Sequence, residues 1–269
     1  MTSPTTGFSV VPEPPSPPNA LFEYLLRLGD DRLVLGHRLS EWCGHGPILE
    51  EDIAVSNVAL DLLGQATMFL RLAGEVEGKG RDEDSLAYFR EAVEFRNCQL
   101  VELPKGDFGF TIARQFLFDA YAVVLLDALS RSTHADVSAI AAKSLKEVKY
   151  HIRHSGEWML KLGDGTDESH RRVQRALDEL WRFTPELFEA DDVDREMQHS
   201  GVAPDLSALK PAWESIVRDV LDRATLTAPN DAPPAGRTRR GRAGAHTEFL
   251  GHMLAEMQIV ARSHPGATW

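Results

Sequence analysis

Four residues on successive predicted long helices carry side chains that could bind a pair of metal ions. Glu41, Asp61, Asp119 and His151 supply three carboxylates and one imidazole. Di-iron bundles take one carboxylate from each of two helices and a Glu-x-x-His pair from each of the other two. A complete set of these six ligands would indicate a di-iron oxidase or a metal-storage protein.

Both Glu-x-x-His pairs are incomplete in this chain. Gly64 follows Asp61 by three residues, where the pattern asks for histidine, and Val148 precedes His151 by three, where it asks for glutamate. Neither a hydrogen atom nor an isopropyl group can bind iron, so these positions are ligands lost from a vestigial di-iron site. Glu147 lies 100° around the helix from Val148, and we do not expect it to replace the missing ligand. The sequence therefore predicts a bundle without a bound metal.

Asp119 is the polar residue whose direction the sequence predicts best. It falls within an apolar stripe whose spacing of three and four places every member on one helical face: Ile112, Phe116, Val123 and Leu126. A buried carboxyl group must be paired, hydrogen-bonded, protonated or bound to metal. We expect His151, on the inner face of the next long helix, to meet Asp119 in an internal ion pair or hydrogen bond. The alternative is that His151 is an ordinary core histidine.

The elements that position these residues are all predicted to be helical. Apolar residues recur at helical spacing, and alternating runs typical of strands are absent. The predicted helices span residues 21–43, 47–76, 82–98, 112–132, 137–162, 167–189, 205–225 and 246–262. Long helices joined by short turns favour an all-α, ferritin-like antiparallel helical bundle with additional C-terminal helices.

The chain of 269 residues is predicted to form one domain over residues 20–269. Residues 1–19 are rich in proline and are expected to be a disordered leader. Residues 228–245 are expected to be a flexible loop that carries four arginines: Arg237, Arg239, Arg240 and Arg242. These arginines either keep a connector solvated or contact an acidic partner or a ligand phosphate.

Composition excludes several classes of function. The net charge of −12 argues against nucleic-acid binding, and no uncharged apolar stretch is long enough to predict a membrane span. Only Cys43 and Cys98 occur, so a disulfide framework is not expected and a cytoplasmic location is favoured.

Several long segments resemble one known family, the structural (C-type) subunits of the bacterial 1,2-phenylacetyl-CoA epoxidases. The resemblance extends over about residues 21–262 and is carried in order by residues 38–66, 110–123, 146–169 and 246–258. It implies a ferritin-like fold and membership of a multicomponent mono-oxygenase that adds one oxygen atom to the ring of phenylacetyl-CoA during phenylacetate degradation.

The resemblance also implies a division of roles. In those complexes the homologous A-type subunit carries the di-iron centre, and the C-type subunit is its similar, metal-free structural partner. This chain is then expected to have no catalytic residue and no cofactor, to bind the di-iron catalytic subunit of the complex and other epoxidase subunits, and to form a homodimer when isolated. Matching the pattern of the catalytic subunit places Glu41, Asp61, Asp119 and His151 at ligand positions. A stand-alone di-iron oxidase or storage protein is the alternative.

Overall fold

Helices make up all the regular structure in the part of the chain that is described. The computed structural model describes residues 19–229 and 240–267. Its α-helices are α1 Ala20–Ser40, α2 Leu49–Glu77, α3 Glu83–Tyr88, α4 Gln99–Glu102, α5 Phe108–Leu129, α6 Ala135–Gly163, α7 Asp167–Leu180, α8 Asp192–His199, α9 Leu206–Arg223 and α10 Glu248–Ser263. Short 3₁₀ turns occur at Ala92–Glu94, Trp181–Phe188 and Gly241–Ala243.

Local capping fixes where the long helices begin and end. The side chain of Asn19 accepts a hydrogen bond from the backbone of Leu21 at 3.0 Å, and Asp107 does the same for Phe110 at 2.8 Å. Each satisfies an N–H group that has no partner within its helix. Gly78 ends α2 in the left-handed conformation, with a φ of 68°.

The core lies between the four longest helices, α1, α2, α5 and α6. Helices α1 and α2 approach closely because α1 carries glycine where they meet. A Cβ atom at Gly29 would lie 2.7 Å from the side chain of Leu70, and one at Gly36 would lie 3.1 Å from that of Leu63. The predicted all-α fold is confirmed, and its arrangement is that of a ferritin-like helical bundle.

The prediction of one helix over residues 82–98 is wrong. The chain leaves α3, makes a 3₁₀ turn and then runs extended into α4. The segment is extended here because carboxylate side chains of α1 accept hydrogen bonds from its backbone N–H groups. The N–H groups of Arg96 and Cys98 donate to the carboxylates of Asp30 and Asp31, each at 2.8 Å. A continuous helix would have turned these donors toward its own carbonyl groups.

The predicted helix over residues 167–189 also ends early. Helix α7 stops at Leu180 and continues as a 3₁₀ segment that contains Pro185. Proline has no N–H to donate and clashes with the preceding turn of an α-helix. Helix α8, which follows, was not predicted.

The predicted leader and arginine loop have different outcomes. Residues 1–18 and 230–239 lie outside the described residues, so the disorder expected of the leader stays a prediction. Residues 240–245 do not form the flexible end of a loop but pack into the fold. Gly241 approaches the carbonyl oxygen of Asn97 so closely that a Cβ atom there would lie 2.1 Å from it.

Among the described residues, α2 is the one helix long and apolar enough to span a bilayer by length and composition. Its inner face packs in the bundle core, and core helices of soluble proteins meet the same criterion. Less than half of its most apolar stretch is buried, with a share of 44%. The rest of that stretch lies at least partly open on the outside of the bundle.

Candidate functional site

Asp61 and His151 form a contact between α2 and α6. Nε2 of His151 lies 3.0 Å from a carboxylate oxygen of Asp61, whose side chain is 40% exposed. Burial lowers the pKa of His151 below its usual value, while the hydrogen bond with Asp61 opposes that shift. The imidazole is therefore neutral at pH 7, and its Nε2–H donates to Asp61.

Asp119 is buried and meets polar groups other than His151. Nε2 of Gln115 donates to one of its oxygens at 2.7 Å, and Oγ of Ser155 lies 2.8 Å from the other. Oγ of Ser155 also lies 3.0 Å from the backbone carbonyl oxygen of His151. The predicted contact between Asp119 and the His151 side chain is wrong, because Asp119 is hydrogen-bonded to Gln115 and Ser155 while the imidazole of His151 meets Asp61.

Burial decides the protonation state of Asp119. Oγ of Ser155 lies within hydrogen-bond distance of both Asp119 and the carbonyl oxygen of His151, and its single hydroxyl hydrogen can be donated to only one of them. Burial raises the pKa of Asp119 to about 8, while the hydrogen bonds from Ser155 and Gln115 oppose that shift. Asp119 is therefore a neutral hydrogen-bonding group in the core at pH 7.

Glu41 shares no hydrogen bond or ion pair with the other three candidate residues in the described part of the chain. It follows the last residue of α1, is exposed, and pairs with Arg38 at 2.6 Å. Its backbone carbonyl accepts a hydrogen bond from Lys105 at 3.1 Å. Glu41 thus balances a cation at the end of the bundle.

The two lost ligand positions face different surroundings. Gly64 is exposed, and a Cβ atom added there would meet no atom within 4 Å. Val148 is buried in the core. In the described part of the chain no three His, Cys, Asp or Glu side chains are grouped to hold a metal ion. This donor set does not fit a di-iron centre.

A polar link that we did not predict occupies the bundle interior. Nε of the buried Arg32 donates to Gln65 at 3.0 Å, and the amide of Gln65 donates to Glu147 at 2.8 Å. Glu147 is therefore a partner of Gln65, not a substitute ligand. The sequence does contain a sign of this link, because Gln65 interrupts the apolar stripe of α2 at the spacing of its core residues: Val58, Leu62 and Phe69.

A further contact ties the same two helices. Nε2 of His154 lies 2.8 Å from the carboxylate of Glu51. We call the three contacts Glu51–His154, Asp61–His151 and Gln65–Glu147 the α2–α6 seam. The seam holds the two helices side by side with an apolar surface outside it.

Four charged residues form a second polar group, which we call the α1 clamp: Asp30, Asp31, Arg90 and Arg242. Arg242 makes two hydrogen bonds to Asp31, at 2.6 and 3.0 Å, and donates to the backbone carbonyl of Arg96 at 2.9 Å. Arg90 pairs with Asp30 in the same buried region. The clamp attaches the segment that begins at residue 240 to the middle of α1.

The arginines expected to meet an outside partner are thus not one patch. Arg242 is directed inward to Asp31, which corrects the expected outward contact for this residue. Arg240 pairs with Glu189 of the same chain. Arg237 and Arg239 lie outside the described residues, and a contact of theirs with a partner or a phosphate stays a prediction.

Comparisons with known proteins agree with the sequence resemblance. The model of the family described as phenylacetic acid catabolic protein matches residues 12–269. The subunit designated C of the 1,2-phenylacetyl-CoA epoxidase of Escherichia coli strain K12 is 49% identical over 251 residues, which covers 93% of this chain and all of that relative. The resemblance inferred from residues 38–66 and the later segments is confirmed.

Proposed function

Because this chain belongs to the phenylacetic acid catabolic protein family, we propose that it is the metal-free structural subunit of a phenylacetyl-CoA 1,2-epoxidase complex. Its task in phenylacetate catabolism is to bind and stabilise a di-iron catalytic subunit. Iron and the site of oxygen chemistry belong to that partner.

The observation that supports this proposal is that, among the described residues, no three of the four candidate ligands are grouped to hold a metal ion. Glu41 pairs with Arg38 at the end of α1, Asp61 pairs with His151 in the α2–α6 seam, and Asp119 is hydrogen-bonded to Ser155 and Gln115. Two metal ions bridged by carboxylates need these groups at one place. Here Glu41 and Asp119 have other hydrogen-bond partners, and Asp61 and His151 are paired with each other.

The fold supports the structural role in a second way. Related bundles can pair across a shared surface, as the two halves of a homodimer do. A partner with the same long helices can therefore fix the helices that carry iron ligands in the catalytic subunit. The name of the Escherichia coli relative, which makes it one component of an epoxidase, fits an assembly of several chains.

Reconstitution tests the proposal. We expect phenylacetyl-CoA turnover to be lost when this chain is omitted, while the iron content per catalytic subunit stays the same. In the complete complex, Asp119→Asn should keep turnover within about twofold, because an amide preserves the hydrogen bonds and no iron depends on the carboxylate. Close to two equivalents of iron in the purified chain, or full turnover without it, would contradict the proposal.

A further inference from the structure

The outer face of α2 is apolar over much of its length. Leu49, Ile53 and Leu60 are each more than half exposed, at 71%, 53% and 65%. Asn57 and Gly64 lie on the same face, at helical steps of three and four. An exposed apolar surface of this extent is typical of an interaction site.

Helix α6 extends this surface on one side. Tyr150 is 44% exposed, stacks on His154 with ring centroids 6.2 Å apart, and lies beneath the guanidinium of Arg153 at 5.4 Å. Because the α2–α6 seam fixes the two helices, Tyr150 and Leu60 belong to one surface. We call the outer surface formed by Leu49, Ile53, Leu60, Gly64 and Tyr150 the α2–α6 face.

Gly64 lets another backbone come near. It is exposed and has open space where a side chain would be. A glycine inside a helix destabilises that helix relative to alanine. No neighbour in the described chain requires a small residue at this position. Close contact with a helix of a partner protein would explain why a glycine occupies this position.

The charges beside the face indicate what kind of partner fits. Lys143, Lys146 and Arg153 are exposed on α6, and none of them makes an ion pair within the described residues. The chain as a whole carries a net charge of −12, and its other arginines are mostly paired. A protein surface with an apolar centre and carboxylates at one edge complements these three cations.

The size of the face also suits a protein partner. From Leu49 to Met68 the exposed side of α2 is about 30 Å long, at ~1.5 Å per residue. Two neighbouring helices are roughly 20 Å wide. This area is comparable with the ~800 Å² that each partner buries in a standard interface. An anionic membrane fits less well, because Glu50 and Asp61 lie along the same helix and would be repelled by lipid phosphates.

We propose that the α2–α6 face binds the di-iron catalytic subunit, through an apolar helical surface of that protein flanked by carboxylates. This inference rests on the proposed function and specifies where the two proteins meet. It assigns to Leu60, Tyr150, Lys146 and Arg153 a role in assembly.

Paired substitutions test the location. Leu60→Asp places a charge in the centre of the α2–α6 face, and Ile259→Asp is the matched control on α10, where Ile259 is 60% exposed. Neither side chain is buried, so both variants should keep the helical circular dichroism and unfolding temperature of the unchanged chain. In calorimetric titrations with the catalytic subunit, we expect Leu60→Asp to weaken binding at least tenfold and Ile259→Asp to change it less than twofold.

A second pair of variants tests whether the cations on α6 contribute to binding. Lys146→Glu combined with Arg153→Glu should weaken binding and reduce its dependence on salt between about 50 and 500 mM. The same exchange at Arg171 and Arg175, which are exposed on α7, is the control and should leave both quantities unchanged.

The outcomes separate this inference from the proposed function. If the unchanged chain does not bind the catalytic subunit, both are overturned. If it binds and Leu60→Asp binds equally well, only the location is overturned. Loss of self-association, or of sedimentation with phosphatidylglycerol vesicles, in Leu60→Asp without any loss of binding to the catalytic subunit would show another occupant and overturn the inference.

Discussion

The α1 clamp and the candidate site bury the same residue type in two different ways. Asp31 and Asp119 are each 1% exposed. Asp31 faces Arg242 and accepts hydrogen bonds from its guanidinium and from the N–H of Cys98. Asp119 faces only neutral groups, Gln115 and Ser155. The first aspartate is stabilised by an opposite charge, and the second by keeping its proton.

The difference indicates which of the two regions depends on paired charges. A protonated carboxyl group between an amide and a hydroxyl has hydrogen-bond partners and needs no counter-ion. The clamp consists of groups that are costly to bury alone. Its members can only be kept or exchanged together.

The largest effect should come from breaking the clamp. Asp31→Ala leaves the buried Arg242 without its counter-ion, and we expect the free energy of unfolding to fall by about 3–5 kcal/mol in urea titrations. The matched control is Asp192→Ala, since Asp192 also pairs with an arginine at 2.6 Å but is 99% exposed. That change should cost less than about 1 kcal/mol. Equal effects of the two substitutions would show that the clamp is no stronger than a surface pair.

The second-largest effect should be a dependence of stability on pH that distinguishes the protonated Asp119 from the ion-paired Asp31. Between the pKa of an unfolded aspartate, about 3.9, and the value of about 8 in the fold, folding takes up a proton at Asp119. Stability from this group is complete at low pH and is lost as the pH rises toward 8, by up to ~1.4 kcal/mol per pH unit. Asp119→Asn should remove this slope between pH 5 and 8, as followed by urea unfolding at several pH values.

The control for Asp119→Asn lies on the same helix. Asp127 is exposed and pairs with Arg131 one turn away, so Asp127→Asn should leave the slope unchanged. If Asp119→Asn shows the same dependence on pH as the original chain, Asp119 is ionised in the fold and the contrast with Asp31 disappears.

The smallest effect is expected where the candidate site reaches the surface. Asp61→Asn keeps a side-chain acceptor for the Nε2–H of His151 and removes a charge that is already 40% exposed. We expect a loss of less than about 1 kcal/mol in thermal or urea unfolding. A loss as large as that of Asp31→Ala would place Asp61 among the essential buried charges.

Local periodicity predicted the parts of the fold and site that depend on one helix at a time. It gave the bounds of α1, α2, α5 and α6 to within a few residues, and it placed Asp119 in the core because its neighbours at three and four steps are apolar. It also identified Gly64 and Val148 as positions without a ligand atom.

The contacts that the sequence did not reveal join distant segments. Nothing around Arg242 indicates that it turns inward to Asp31, which is 211 residues earlier. The carboxylates of α1 likewise break the predicted helix over residues 82–98 from outside that segment. Ser155 was missed as the neighbour of Asp119 because a small hydroxyl residue leaves the helical pattern unchanged. Such contacts follow from how the helices pack against each other.

The sequence separation of Asp31 and Arg242 has a consequence for biosynthesis. Residues that form α1, α2, α5 and α6 leave the ribosome before Arg242 does, so this ion pair can form only after most of the bundle has been synthesised. Until then we expect the carboxylate of Asp31 to stay solvated, because an unpaired charge is costly to bury. The clamp is therefore expected to be among the last contacts that form as these helices assemble.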